Sequence, residues 1–211
     1  LHTIPGGLCT SWRRNGYLFD GGVRYLTGTH PKANAYPMWQ ELGALAKTEI
    51  YYYDEFIAVA DRAGRIFHFY TDLARLKAEM VRLSPGDYDA ITTFIDAVRA
   101  LDDFDLPIDP TPDDALENLR MGLSMLPFVG PLLRWKDVTL GDFVERFHDP
   151  LLRRGLMEFL QFARPDFPVL MLLITLAQMA DKVAGYPVGG SLELADRVAD
   201  RYRALGGQIH F

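Results

Sequence analysis

A long stretch of helical periodicity, framed by two glycine-rich ends, constrains the fold of this chain more than any other feature. From Thr71 to Arg203 apolar residues recur mainly at the three- and four-residue spacing of amphipathic helices. Glycines and short β-type runs dominate residues 1–30, and a second glycine-rich loop lies at residues 185–190. We therefore predict an α+β fold, in which a cluster of helices covers a small mixed or antiparallel sheet.

Two hairpins are predicted before the helical stretch. Asn15-Gly16 stands between two short β-type runs, and Asn-Gly in that position is a strong hairpin signal. Residues 56–59 and 66–70 are also β-type runs, and a cluster of turn-forming residues joins them. Between the hairpins, residues 35–48 have the pattern of a short helix.

Caps and prolines predict where the helices begin and end. We expect Thr71 and Ser191 to cap the first and last helices of the helical stretch. A helix beginning near Asp113 is expected to break at residues 127–131, which contain two prolines, and residues 107–112 are predicted as a loop. The helix that follows Ser84-Pro85 has the apolar stripe Ile91, Phe94, Ile95, Val98 and Leu101.

Two segments are unusually apolar. Residues 167–180 are nearly all apolar, but they fall short of the roughly 20 residues that a transmembrane helix needs. We interpret this segment as a buried core helix, with the lining of an apolar substrate tunnel or contact with a bilayer surface as alternatives. Residues 121–133 are interrupted by glycines and prolines, which is typical of a lid over an irregular apolar ligand or of an ordinary helix-loop-helix core.

Charge and cysteine content narrow the functional class. The net charge of −6, without any basic run, argues against a nucleic-acid partner. Cys9 is the single cysteine, so no internal disulfide can form and an oxidising compartment is not indicated. The chain opens at Leu1 without a signal-peptide pattern, and its end at residues 208–211 resembles the start of a strand. We therefore expect an interior fragment of a cytoplasmic protein.

Three glycine motifs are candidates for ligand contact. They are Pro5-Gly6-Gly7, Phe19-Asp20-Gly21-Gly22, and Tyr186-Pro187-Val188-Gly189-Gly190-Ser191. Paired glycines let a ligand approach the backbone closely, and their amides can face a phosphate or a ring edge. The third motif also precedes a helix, whose N terminus attracts anions. Each motif taken alone is equally typical of a tight turn.

The order and spacing of these motifs resemble the phytoene desaturase family, the carotenoid-desaturase and retinol-saturase branch of the FAD-dependent, amine-oxidase-like flavoproteins. The glycine-rich ends carry the resemblance, and the helical middle does not. The resemblance implies that residues 1–30 are a remnant of an FAD-binding domain and residues 31–185 a substrate-binding domain. Residues 186–211 would then be a segment returning toward the FAD-binding domain.

The resemblance also implies roles for the glycine motifs. Gly6, Gly7, Asp20, Gly21 and Gly22 would lie along the FAD. The glycine pair of the third motif, Gly189 and Gly190, would contact the cofactor near the flavin or the substrate mouth.

The function implied is an FAD-dependent oxidoreductase that desaturates or saturates an apolar isoprenoid or lipid-like small molecule. The fragment alone is expected to hold FAD weakly or not at all. Residues 24–26 differ from the Gly-Pro and small residue that well-known carotene desaturases carry there, which favours another lipid as substrate. Contact with a membrane surface fits such a substrate.

Two alternatives stay open: a non-enzymatic module that binds an apolar ligand or a partner protein, and an amine or porphyrinogen oxidase.

No catalytic residue, metal site or oligomeric state is predicted. The five histidines show no metal-binding spacing with one another or with Cys9. Two acidic pairs, Asp87 with Asp89 and Asp102 with Asp103, are interpreted as solvated charges at helix ends.

Overall fold

The structure, a computed structural model, describes residues 3–105, 115–160 and 164–210. The strands are β1 (Ser11–Arg14), β2 (Tyr17–Asp20), β3 (Leu26–Thr27), β4 (Ile50–Tyr51), β5 (Glu55–Ala60), β6 (Ile66–Tyr70) and β7 (Ala184–Pro187). The helices are α1 (Tyr36–Glu41), α2 (Leu73–Leu83), α3 (Tyr88–Arg99), α4 (Ala115–Trp135), α5 (Leu140–Val144), α6 (Pro150–Phe159), α7 (Val169–Ala180) and α8 (Gly190–Ala204). The small sheets are antiparallel, and helices make up most of the regular structure in the described residues. Both features confirm the predicted α+β class.

Contacts divide the chain into two compact units. Unit 1 comprises Leu1–Tyr52 and Lys182–Phe211, and unit 2 comprises Tyr53–Asp181. This division does not test which segments belong to an FAD-binding domain. The assignment of residues 1–30, 31–185 and 186–211 therefore stays a prediction.

Unit 1 contains the first predicted hairpin and a small sheet. Strands β1 and β2 pair antiparallel, and both turn residues, Asn15 (φ 51°) and Gly16 (φ 81°), have the positive φ of a tight hairpin turn. In the small sheet, β7 lies between β3 and β4 and is antiparallel to both. The interpretation of residues 185–190 as a loop is therefore wrong for Gly185–Pro187. Strands distant in sequence supply the pairing that orders these residues, and no local pattern reveals that pairing.

The helices of unit 1 differ in detail from the predicted ones. Helix α1 ends at Glu41, well short of residue 48, and Gly43 with φ 70° follows it. Ser191 does not cap α8, because Gly189 occupies the N-cap position and Ser191 lies within the helix. The expected strand does not form at residues 208–210, and residue 211 lies outside the described residues.

Unit 2 is a helical cluster around the second predicted hairpin. Strands β5 and β6 pair antiparallel, and helices α2 and α6 pack against them. Phe69 and Phe159 are fully buried with ring centroids 4.6 Å apart. Gly155 lets α6 approach the sheet, because a Cβ there would lie 2.2 Å from Phe67. The predicted apolar stripe, which runs along α3 into the turn after it, is completely buried: Ile91, Phe94, Ile95, Val98 and Leu101.

Two helix boundaries in unit 2 correct the sequence prediction. Asp72, and not Thr71, caps α2: its carboxylate accepts a hydrogen bond from the Arg75 amide at 2.7 Å. Thr71 is buried and donates its hydroxyl hydrogen to the Tyr53 carbonyl. Helix α4 continues through Pro127 and Pro131 instead of breaking there. The predicted loop at 107–112 and the helix start near residue 113 lie outside the described residues.

The apolar segment at 167–180 forms α7, and most of its side chains are buried, in agreement with the core-helix interpretation. Among the residues that the structure describes, no helix has both the length and the apolar character needed to cross a membrane.

Candidate functional site

The three glycine motifs come together in unit 1 around the start of α8. An ideal Cβ placed on Gly6 would lie 2.7 Å from the Cβ of Ala195, in α8. A Cβ on Gly22 would lie 2.8 Å from the hydroxyl oxygen of Ser191. The structure therefore brings the motifs from both ends of the chain into one cluster, which we call the glycine cluster: residues 5–7, 19–22 and 186–191.

The carboxylate of Asp20 is the centre of this cluster. It accepts hydrogen bonds from the Ser191 amide at 2.8 Å, the Tyr186 hydroxyl at 2.9 Å and the Gly22 amide at 3.2 Å. The hydroxyl of Ser191 also donates to it and, in turn, accepts a hydrogen bond from the Val23 amide. One acidic side chain thus ties the turn after β2 to the first turn of α8.

Protein groups already bind the amides of Ser191 and Leu192 in the first turn of α8. Asp20 accepts from Ser191, and the hydroxyl of Ser11 accepts from the Leu192 amide at 3.2 Å. A negative charge at a helix N terminus is stabilised by the helix dipole, so Asp20 acts as the internal anion of this helix. Sequence reasoning missed this arrangement because 171 positions separate Asp20 from Ser191.

The glycines of the cluster differ in how much space surrounds them. A Cβ on Gly190 would lie 2.8 Å from the Ser11 hydroxyl oxygen and 3.0 Å from Asp20, so close packing within the protein requires a glycine there. Gly7 has φ 57°, and among the described residues no atom beyond its two chain neighbours lies within 4 Å of an ideal Cβ. Gly189 lines a shallow cavity of about 210 Å³ together with Trp12 and Arg13 of β1. A Cβ on Gly189 would nevertheless lie 2.0 Å from the Glu193 carboxylate, so Gly7 is the glycine of the cluster at which a ligand can approach the backbone.

These residues fit a partial contact with a dinucleotide. The open backbone at Gly7 suits the close approach of a flat or phosphorylated group. The described amides at Ser191 and Leu192 are already bonded to protein atoms, and the sequence contains no Gly-x-Gly-x-x-Gly turn for a diphosphate. The cofactor roles of Gly6, Gly7, Asp20, Gly21, Gly22, Gly189 and Gly190 stay predictions.

Helix α4 in unit 2 presents two different apolar faces. Its inner face packs on the unit: Phe128 meets Phe104 with ring centroids 5.1 Å apart, and the buried Trp135 meets Phe143 at 5.7 Å. Its outer face repeats large apolar residues every three or four positions, and each is between 45% and 62% exposed. These residues, the outer face of α4, are Leu116, Leu119, Leu123, Leu126, Val129 and Leu133.

Asp87 corrects the interpretation of the first acidic pair as solvated charges. Its side chain is fully buried, and it accepts hydrogen bonds from the His148 amide at 2.8 Å and the Asp149 amide at 3.1 Å. Burial alone raises the pKa of Asp87, but the hydrogen bonds from the His148 amide, the Ser84 hydroxyl, the Asp149 amide and the His148 ring outweigh it and lower the pKa to about 2. Asp89, in contrast, is exposed as interpreted. Asp87 therefore fastens the turn before α3 to the start of α6.

Asp102 and Asp103 are exposed, as interpreted for the second pair. Together with Asp181 they place three carboxylates within 4.8 Å of one another. The Asp103 amide also donates to Asp181 at 3.0 Å. This hydrogen bond explains why Asp103 and Asp181 lie close together.

Comparison with known proteins first defines a broad class. Residues 1–42 match the family model of an NAD(P)-binding Rossmann-like domain. This segment contains the hairpin and two of the three glycine motifs. The match points to a dinucleotide cofactor for proteins of this kind.

Two relatives then make the resemblance more specific. The chain is 24% identical over 216 residues to "Phytoene desaturase (lycopene-forming)" of Pantoea ananas, covering 97% of this chain and 41% of the relative. It is 27% identical over 215 residues to "Phytoene desaturase (neurosporene-forming)" of Rhodobacter capsulatus, covering 97% and 39%. The chain thus spans about two fifths of the length of these relatives. The resemblance predicted from the glycine motifs is confirmed, at low identity.

Proposed function

We propose that this chain is the substrate-binding portion of an FAD-dependent oxidoreductase that desaturates or saturates an apolar, isoprenoid or lipid-like substrate. Both relatives named above are phytoene desaturases, and their similarity extends through the helical unit as well as the glycine cluster. The proposal covers the complete natural protein. This chain alone is expected to be inactive.

The outer face of α4 is the observation that carries the proposal. Globular helices normally bury a single apolar stripe and turn charged residues outward. Helix α4 is apolar on both faces, and six large side chains stay exposed on the outer one. An exposed apolar patch of this kind marks an interaction surface. An isoprenoid hydrocarbon, which offers no hydrogen-bonding groups, matches that surface.

The glycine cluster would contribute part of the cofactor contact. Gly7 would let the cofactor approach the backbone, and the hydrogen bonds that Asp20 accepts would stabilise the glycine cluster. When bound, FAD supplies the hydride acceptor or donor, and the protein contributes orientation and exclusion of water. No side chain among the described residues is assigned a proton-transfer role.

A membrane-surface location follows from the substrate class. Apolar lipids are dissolved in bilayers, so an enzyme acting on them gains access at the membrane surface. We place the protein in the cytoplasm, peripheral to the membrane, with the outer face of α4 as the contact.

Anaerobic titration of the complete, purified natural protein tests the proposal. Phytoene in detergent is added while the visible flavin bands are recorded, and squalane, an apolar hydrocarbon without double bonds, serves as the matched control. If the enzyme desaturates, phytoene or another unsaturated isoprenoid should reduce and bleach the oxidised flavin. If it saturates, the unsaturated isoprenoid should instead reoxidise flavin that dithionite has reduced beforehand. Squalane should do neither.

Other outcomes point to other functions. A flavin bleached by amines but not by isoprenoids would indicate an amine oxidase. A colourless protein that takes up no added FAD would favour a non-enzymatic module that binds an apolar ligand.

A further inference from the structure

Two arginines contact Trp135 at the C-terminal end of α4 without an acidic partner among the described residues. The guanidinium carbons of Arg134 and Arg146 lie 5.3 Å and 5.2 Å from the centre of the same Trp135 ring. Neither arginine forms an ion pair with any residue that the structure describes. Most arginines elsewhere in unit 2 do form such pairs, for example Arg153 with Glu145 at 2.9 Å and Arg164 with Asp166 at 3.1 Å.

The position of these arginines is informative because the chain as a whole is acidic. With a net charge of −6, carboxylates are plentiful, yet none pairs with Arg134 or Arg146 in the described structure. Contacts with the aromatic ring stabilise each guanidinium modestly and leave its N–H donors available. The dipole of α4 explains a cation at its C-terminal end, where Arg134 lies. Arg146 lies in the turn after α5, so the dipole of α4 does not explain its position. Guanidinium groups whose N–H donors form no ion pair with a described residue are available to bind an anion.

A groove and an apolar surface adjoin the arginines. Arg134 and Trp135 line a groove of about 390 Å³ between α3 and α4, together with the small residues Gly130 and Pro131. The opposite wall carries Asp96, whose carboxylate lies 3.6 Å from Arg99. Leu133, on the outer face of α4, precedes Arg134 directly and is 61% exposed.

We infer that Arg134 and Arg146 bind phosphate groups of anionic phospholipids in a bilayer on which the outer face of α4 lies. The apolar face would enter the boundary of the acyl chains, and the two guanidinium groups would meet the headgroup layer at the end of the helix. This inference deepens the membrane contact proposed above and rests on it, but it is independent of the redox chemistry.

Vesicle co-sedimentation of the full chain tests the inference. Vesicles of phosphatidylcholine alone are compared with vesicles containing phosphatidylglycerol. The wild-type chain should prefer the anionic vesicles by roughly thirtyfold, as expected for two arginines near an anionic surface. The double variant Arg134→Gln/Arg146→Gln should lose that preference. The double variant Arg134→Lys/Arg146→Lys, which keeps the charges, should retain it.

A matched control separates a specific site from general charge. Arg154→Gln/Arg164→Gln removes the same charge from unit 2 at arginines that have acidic partners, and it should bind anionic vesicles like the wild type. Leu126→Ser/Leu133→Ser should weaken binding to both kinds of vesicle. Amide hydrogen exchange checks that every variant keeps the fold.

The inference is overturned if Arg134→Gln/Arg146→Gln keeps the wild-type preference, or if the control double variant loses as much. Titration with inorganic phosphate distinguishes a soluble ligand. Phosphate binding that depends on the two arginines, without any vesicle binding, would overturn the lipid assignment. A chain that binds anionic vesicles through these arginines while the complete protein holds no flavin would overturn the proposed function alone.

Discussion

The two units reach a defined structure by different means. In unit 1, backbone segments approach closely at glycines, and a shared carboxylate, Asp20, joins them. In unit 2, large aromatic side chains such as Phe69 and Phe159 fill a core, and α4 leaves a further apolar face exposed. A glycine motif therefore does not by itself mark a ligand site. Its glycines first have to be sorted into those that packing requires and those that stay open.

The largest effect is expected in the aromatic core of unit 2. Phe159→Ala removes a fully buried ring that contacts Phe69 and Phe56, and we expect a loss of about 3–5 kcal/mol in the free energy of unfolding. Denaturant titration measures the loss. The matched control is Phe167→Ala, because Phe167 is 38% exposed and should cost far less. Equal losses in the two variants would show that unit 2 has no well-packed core.

Within unit 1, glycines that packing requires should be more sensitive than open ones. Gly190→Ala combines a positive φ of 86° with contacts at 2.8 Å and 3.0 Å, and we expect a loss of about 3 kcal/mol. Gly7→Ala meets no atom of the described residues within 4 Å beyond its two chain neighbours and should cost about 1 kcal/mol, from backbone strain alone. Hydrogen exchange in α8 distinguishes the two variants. If Gly7→Ala is the more damaging, the sorting of the glycines is wrong.

Acid should weaken unit 2 through Asp87. The pKa of Asp87 is lowered in the folded chain to about 2 from 3.8. Its contribution, about 2 kcal/mol, is therefore complete above pH 3.8 and is lost as the pH falls through about 2. Denaturant titrations of the wild type and Asp87→Asn at several pH values between neutral and pH 2 should converge at the acidic end. A constant difference between them across that range would contradict the assignment.

The smallest effect is expected on the outer face of α4. Leu126→Ser changes a side chain that is 62% exposed, and the free energy of unfolding should change by no more than about 0.5 kcal/mol. The same denaturant titration provides the measurement. A loss comparable with that of Phe159→Ala would mean that this face is part of the folded core and would remove the basis of the proposed ligand contact.

Local chemistry made much of the fold predictable from the sequence. Asn15-Gly16 specified the first hairpin, and the spacing from Ile91 to Leu101 specified the buried face of α3. The features that were predicted wrongly depend on contacts between segments that are distant in the sequence. Strand β7 forms because β3 and β4 pair with it, and α4 continues through Pro127 and Pro131 while its inner face packs on unit 2.

The candidate site was predictable in its members but not in their roles. The sequence identified the glycine motifs, and the structure brings them together. It did not reveal that Asp20 binds the first turn of α8, since that contact spans 171 positions. Nor did it reveal that the apolar residues of α4 would be exposed, because periodicity identifies an apolar face without identifying what covers it.

The assignment to FAD-dependent oxidoreductases is tested most directly by the absorbance spectrum of the complete natural protein, purified from cells, with any released chromophore identified by mass. We predict bound FAD at close to one molecule per chain, with visible flavin bands. A colourless protein that also fails to take up added FAD would contradict the assignment to FAD-dependent oxidoreductases.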